Sequence, residues 1–305
     1  MNRQRSLWRR GSRPLRHFTL SVLLHGLSYL ARLIPLALCQ RWGSDVGLII
    51  RACLPRQRAM VLQRLIDVQE ALKRHQVELN QLERLHWIDL GRRVGEWLAG
   101  ERALSLFWIS SSARQVLIEA RQQSQSGKAI VVCTSHYGHW ELMAAWLSRQ
   151  GFDFLAIASS PPRGPFGAWL SAKRASMGVT VIHPHGGAKH ARRHLAQGGV
   201  VALLVDHSTQ ERSISSPFLG QAAPHAETAD RLIRSAQAMS LWVCSRRDEE
   251  GRYEVVAHKL SGRCQTTQDP IPNTREAHVH LEQLIIESPQ QWLWLHRRWE
   301  DRDRH

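Results

Sequence analysis

Residues Ala129–Glu141 read AIVVC-TSHYGHWE, and the way this stretch changes character decides the fold. Ala129–Cys133 is an unbroken apolar run rich in β-branched side chains, the signature of a short strand covered on both faces. Thr134–Gly138 breaks it, and a helix is expected over Trp140–Arg149. The same alternation recurs downstream. Strands are expected at Phe152–Ala158, Val179–Ile182, Val200–Val205, Leu241–Ser245 and Tyr253–His258. Helices are expected at Phe166–Met177, Ala188–Gln197 and Ala226–Met239, with Gly198-Gly199 stopping one of them before the next strand. Strand alternating with helix implies an α/β layer around a largely parallel mixed sheet flanked by helices. Ligands in such sheets sit beyond the carboxyl ends of the strands. His136 and Asp206 each follow a strand end, so both are expected at one crevice.

His136 and Glu141, five positions apart across a strand-to-helix turn, suit proton removal from a hydroxyl. Imidazole titrates near neutrality, at ~6.5 when unperturbed, and a carboxylate on its other nitrogen fixes the tautomer. His136 is therefore the expected general base, with Glu141 as its orienting carboxylate. Two other readings compete: a metal site of His136, His139 and Glu141, and a histidine that is merely packed. The H-x-x-H-x-E spacing lacks a further ligand, so no metal is expected. His183, His185, His190 and His194 lie among Lys189, Arg192 and Arg193, which oppose a cation.

Upstream, residues 56–125 read as a basic helical arm, with breaks at Gly100 and Ser110–Ser112. Residues 1–16 carry Arg3, Arg5, Arg9, Arg10, Arg13 and Arg16 without an acid, and His17–Leu38 is mostly apolar, interrupted by His25, Arg32 and Pro35. Spanning a bilayer takes roughly 20 residues. The arginines favour a cytosolic N-terminus, so one full span would export the remainder. That conflicts with five widely spaced cysteines (Cys39, Cys53, Cys133, Cys244, Cys264) that contain no C-x-x-C. An N-terminal membrane-associated helical segment is expected instead, lying in the inner leaflet or forming a re-entrant hairpin completed near Val46–Leu54. A buried amphipathic helix of a soluble protein is the alternative. The three expected parts are residues 1–55, the basic arm and apolar segment; 56–125, the helical arm; and 126–305, the α/β domain. The expected location is the cytoplasmic face of the cell inner membrane.

Forty-one basic residues against 26 acidic give a net charge of +15, which attracts polyanions of any kind. No zinc-finger spacing, basic region with heptads or RNP-like aromatic motif is present, so nucleic acid is not an expected partner.

The chain resembles the lipid A biosynthesis lauroyl/myristoyl acyltransferases, within the wider lysophospholipid acyltransferase group. The resemblance runs through Arg56–Asp67 (RQRAMVLQRLID), His136-x4-Glu141, Arg174-x3-Gly178, the GGVVALLVDH stretch ending at Asp206-His207, Pro217–Gly220 and Gln291–Asp301 (QWLWLHRRWED). It implies transfer of a fatty acyl chain from a thioester on acyl carrier protein to a hydroxyl of a glycolipid acceptor at an anionic inner membrane surface, without a cofactor. Residue by residue, it makes His136 the base and Glu141 its partner. Arg174 becomes the contact to the phosphorylated acceptor or the oxyanion, and Asp206 closes the site. Arg174 as a solvated helix cation and Asp206 as a turn cap are the ordinary alternatives. Gly164-Pro165 stands where the family often has Asn-Pro, and the segment after Gly220 is more polar than usual. A lysophospholipid or other lipid acceptor therefore stays open, as does a non-catalytic basic lipid- or nucleic-acid-binding protein.

Overall fold

The computed structural model describes residues 19–72, 78–158, 164–207, 213–262, 269–296 and 298–299. The arginine-rich run 1–16, Cys264 and Arg297 lie outside them. A helix over 19–33 (α1) is followed by α2 (Leu36–Cys53), α3 (Pro55–Asp67) and α4 (Leu79–Ala99). Gly100, at φ +68, ends α4 and opens a 3-10 turn over Gly100–Leu106. Then come β1 (Phe107–Ile109), α5 (Ser111–Gln125), β2 (Ile130–Thr134), α6 (Trp140–Arg149), β3 (Phe154–Ile157), α7 (Pro165–Ser176), β4 (Thr180–Ile182), α8 (Pro184–Ala196) and β5 (Val200–Leu204). A hairpin of β6 (Ser213–Phe218) and β7 (Gln221–Ala226) leads to α9 (Thr228–Ala236), β8 (Met239–Arg247), β9 (Tyr253–Lys259) and α10 (Pro272–Glu287).

Seven strands form one sheet in the order β1-β9-β8-β2-β5-β3-β4. The neighbouring pairs from β8 to β4 are parallel, β9 is antiparallel to β8, and β1 is parallel to β9. The sheet is thus mixed with a parallel centre. Successive residues of β2 face opposite layers, and both layers are dry. Val131 and Cys133 pack with Val61, Leu195, Leu232 and Leu281. Ile130 and Val132 pack with Leu117, Leu142 and Trp169. That double coverage is why AIVVC and VVALLV carry no polar alternation. The 56–125 stretch, expected to be helical with breaks at Gly100 and Ser110–Ser112, also supplies β1, whose three residues pair with Tyr253–Val255 of β9.

The N-terminal expectation requires correction. Among the described residues no helix is long and apolar enough to cross a membrane. This overturns the membrane-associated segment and, with it, placement in the inner membrane. Pro35 breaks the apolar run, and the described part of α1 is about 22 Å long at ~1.5 Å per residue, against a ~30 Å hydrocarbon core. The next helix, α2, carries Arg41, Asp45 and Arg51 and commits one face to α4. Its Gly43 and Gly47 meet Gly91 and Gly95 of α4 backbone to backbone. A Cβ on Gly47 would stand 2.1 Å from the Trp87 carbonyl oxygen, and one on Gly91 2.2 Å from that of Gly43. Only hydrogen side chains allow this approach. Arg51 closes the same seam with a 2.7 Å ion pair to buried Glu83.

Candidate active site

β2 and β5 are adjacent and parallel, with Thr134 opposite Leu204. Their carboxyl ends therefore deliver His136 and Asp206 to the same place. His136 Nδ1 lies 2.9 Å from Asp206 Oδ1. Asp206 Oδ2 accepts two more bonds at 2.8 Å, from the His136 backbone N–H and the Trp292 indole N–H. Burial pushes the Asp206 carboxyl up, but His136 beside it and these donors outweigh burial and hold it well below the usual carboxylate range. An ionised Asp206 requires a proton on Nδ1, which leaves Nε2 of His136 as the nitrogen able to take one. Asp206 is 1% exposed and His136 8%.

The turn carrying His136 is held from three sides. Gly138 sits at φ +57, and a Cβ there would come within 1.8 Å of the Ser245 carbonyl oxygen, so the turn demands glycine. Arg93 of α4 donates to the Gly138 carbonyl at 2.7 Å. The segment after α10 zips onto the turn: Gly138 N–H donates to the Gln291 carbonyl and Leu293 N–H to that of His136, with Tyr137 and Trp292 bridged antiparallel. The Gln291 amide is itself pinned to both backbone groups of Arg247, at 2.7 and 3.0 Å.

Glu141 takes a different partner from the one expected. At the start of α6 its carboxylate is gripped by Arg174 of α7, whose Nε lies 2.9 Å from Oε2 and whose Nη2 donates to Oε1. The carboxylate on His136 Nδ1 is Asp206, so the structure joins the four residues as two pairs. A narrow cleft opens beside them. Trp140, Glu141 and Arg174 stand on it, and Val132, Phe154, Ala202 and Leu203 from the sheet help make its apolar wall. Trp140 links the cleft to the base, its ring centre 5.1 Å from that of His136. The Thr134 hydroxyl, also on the cleft, is buried without a hydrogen-bond partner among the described residues.

His139 is structural. Its Nδ1 accepts from Leu142 N–H at the start of α6, and its Nε2–H donates to the Arg93 carbonyl. Burial, then Arg93 and Arg247, push its pKa well down, which keeps the ring neutral. Neither nitrogen is left for a metal. The group with metal-like spacing is instead His136, Asp206 and His207, whose ligand atoms lie within 4.8 Å of one another. Asp206 already accepts three N–H bonds and His136 Nδ1 is committed to it, so the donor set fits a hydrogen-bonded dyad better than a cation. His207 and His296 flank the dyad, the latter with its ring centre 4.0 Å from His136. Burial and His136 lower the His296 pKa to about 3.

Trp292, His207 and His296 escaped the reading of site residues. The signal available for them was the aromatic C-terminal run and the Asp206-His207 pair. Trp292 and Trp294 are buried at 1% and 0% exposure, so they pack against the domain.

No curated protein matches the chain. A family model described as bacterial lipid A biosynthesis acyltransferase matches residues 113–301, which include β2, β5, the two pairs and the C-terminal segment. With most of its length so matched, the chain belongs to the bacterial lipid A biosynthesis acyltransferases, whose chemistry is acyl transfer to a lipid-like acceptor.

Proposed function

We propose that this protein transfers a fatty acyl chain from a thioester on acyl carrier protein to a hydroxyl of a glycolipid resembling a lipid A precursor. The observation that carries the reading is the His136–Asp206 dyad standing beside an apolar cleft. His136 Nε2 takes the proton of the acceptor hydroxyl, and the oxygen attacks the thioester carbonyl. When the C–S bond breaks, the thiolate leaves and takes that proton from the imidazolium, giving ester and thiol. Asp206 holds the tautomer and stabilises the imidazolium formed on the way. Base catalysis supplies roughly 10²–10⁴-fold, and positioning of donor and acceptor supplies much of the remainder.

The apolar cleft receives the acyl chain. Glu141 acts through Arg174, aiming the guanidinium at the oxyanion of the collapsing thioester or at a phosphate of the acceptor. The test supplies purified protein with acyl carrier protein loaded with saturated chains, together with glycolipid and lysophospholipid acceptors, and follows the products by mass spectrometry. A glycolipid ester plus free carrier thiol is the expected outcome. Acylation of the lysophospholipid alone would overturn the acceptor assignment, and release of free fatty acid alone would overturn the transfer reading.

A further inference from the structure

A second cleft lies where α1, the 3-10 turn and α7 meet, and the mechanism above does not use it. Arg32, Arg102 and Lys173 line it together with Gly100, Glu101 and Ser176. None of the three cations pairs with a carboxylate among the described residues, and Glu101, the acid on the cleft, is taken by Arg149. Two of the three cations are fixed in place, while Arg32 is exposed at the end of α1. Lys173 is 6% exposed, donates to the Leu98 carbonyl at 3.1 Å and lies 5.8 and 5.9 Å from the ring centres of Trp97 and Trp169. Arg102 donates to the Arg32 and Ile34 carbonyls at 2.5 and 2.9 Å, which ties the turn to the end of α1. Burial first, and the Arg32 charge second, lower the Lys173 pKa to about 8. Like charges are thus held together here at a cost that a bound anion would remove.

We infer that this cleft is a binding site for a phosphate-type oxyanion, held by the Lys173 ammonium and the Arg32 and Arg102 guanidiniums. An ammonium and two guanidiniums converging on one cleft match the charge and the several acceptor oxygens of a phosphate. Lys173 and Arg174 are consecutive in α7, one on each cleft. The same helix therefore borders the anion site and the apolar cleft. Two sources share this chemistry: free phosphate, and a phosphate on the headgroup of the acceptor. The second source rests on the acyl-transfer reading; the site does not.

The test is calorimetric titration of the full chain with inorganic phosphate and, separately, with glucosamine 1-phosphate. A salt concentration of about 0.15 M screens diffuse attraction beyond ~8 Å. One anion per chain is expected, weakened at least tenfold by Lys173→Met with Arg102→Gln and also by Arg32→Glu on the exposed side of α1. The second variant decides the matter if the first does not fold. Arg192→Gln with Arg193→Gln, on the exposed face of α8, should leave binding unchanged. Equal losses in both sets, or no saturable binding, would overturn the site. At least fivefold preference for the sugar phosphate assigns the headgroup, equal affinity assigns free phosphate, and either upholds the site. His136→Ala should bind as tightly as wild type, so failure of the catalytic reading leaves this one standing.

Discussion

Asp206→Asn keeps the size of the side chain while losing an acceptor for the His136 Nδ1–H. It should therefore leave His136 in place and in the wrong tautomer. A fall in kcat of about 10²–10⁴-fold, with little change in KM, is the expected outcome of steady-state kinetics. Glu141→Gln should instead weaken the grip on Arg174 and raise KM for the acceptor or donor as kcat falls. The sequence placed His136 and Asp206 at strand ends correctly, because strand-end position follows from apolar runs that anyone can count. Partner choice was not legible in that way. Nearness along the chain favoured Glu141, but the first turn of α6 carries it to Arg174, while adjacency of β2 and β5, a fact of sheet order, brings Asp206 from seventy residues away. Lys173 carries a pH signature at the same scale. Arg32, Arg102 and Glu101 face it, and its folded pKa of about 8 lies below the ~10.4 of an unfolded lysine. Between those values the unfolded chain holds the extra proton, so the Lys173 contribution makes stability rise with pH across that window. Denaturant titrations of wild type and Lys173→Met from pH 7 to pH 10, limits chosen to bracket roughly that window, should show the rise diminished in the variant.

Among the elements, the C-terminal strap matters most to the site. Trp292→Phe keeps an aromatic ring beside Phe218 and Trp294 but removes the N–H on Asp206. It should lower kcat about tenfold in the wild type and by less than about twofold in an Asp206→Asn background, because coupled residues are not additive. Trp294→Phe, whose indole serves the Pro289 carbonyl, should leave kcat within about twofold and so report general packing. Helix against helix, Gly91→Ala would drive a methyl into the Gly43 carbonyl. Thermal or denaturant unfolding should show a loss of about 1–3 kcal/mol, the usual size of overpacking. The elements that the sequence showed well were β2 and β5, unbroken apolar runs, and α6, the helix expected directly after the turn. Those it hid were short or polar. Phe107–Ile109 is three residues long, and Ser213–Ala226 turns through Leu219-Gly220, both at positive φ, with Pro217 and Pro224 inside its strands.

For the molecule as a whole, the architecture explains the spacing of its motifs. A sheet with a parallel centre collects strand ends at one edge, the strap locks the turn there, and helices cover both faces so that the cleft beside the dyad is apolar. Pro35 was legible as an interruption of the N-terminal apolar run, but hydropathy along the chain does not show that α1 ends there or that the small residues of α2 are spent on α4. The cationic balance of +15 likewise looked diffuse, whereas three of its charges gather in one cleft beside α7.

In the proposed mechanism His136 takes the proton that makes the acceptor oxygen a nucleophile. Its most direct test is single-turnover acyl transfer by purified wild type and His136→Ala, with the variant shown to unfold at the wild-type temperature. Ester formation should fall by at least about 10²-fold at saturating donor and acceptor. An unchanged turnover rate in the folded variant would contradict it.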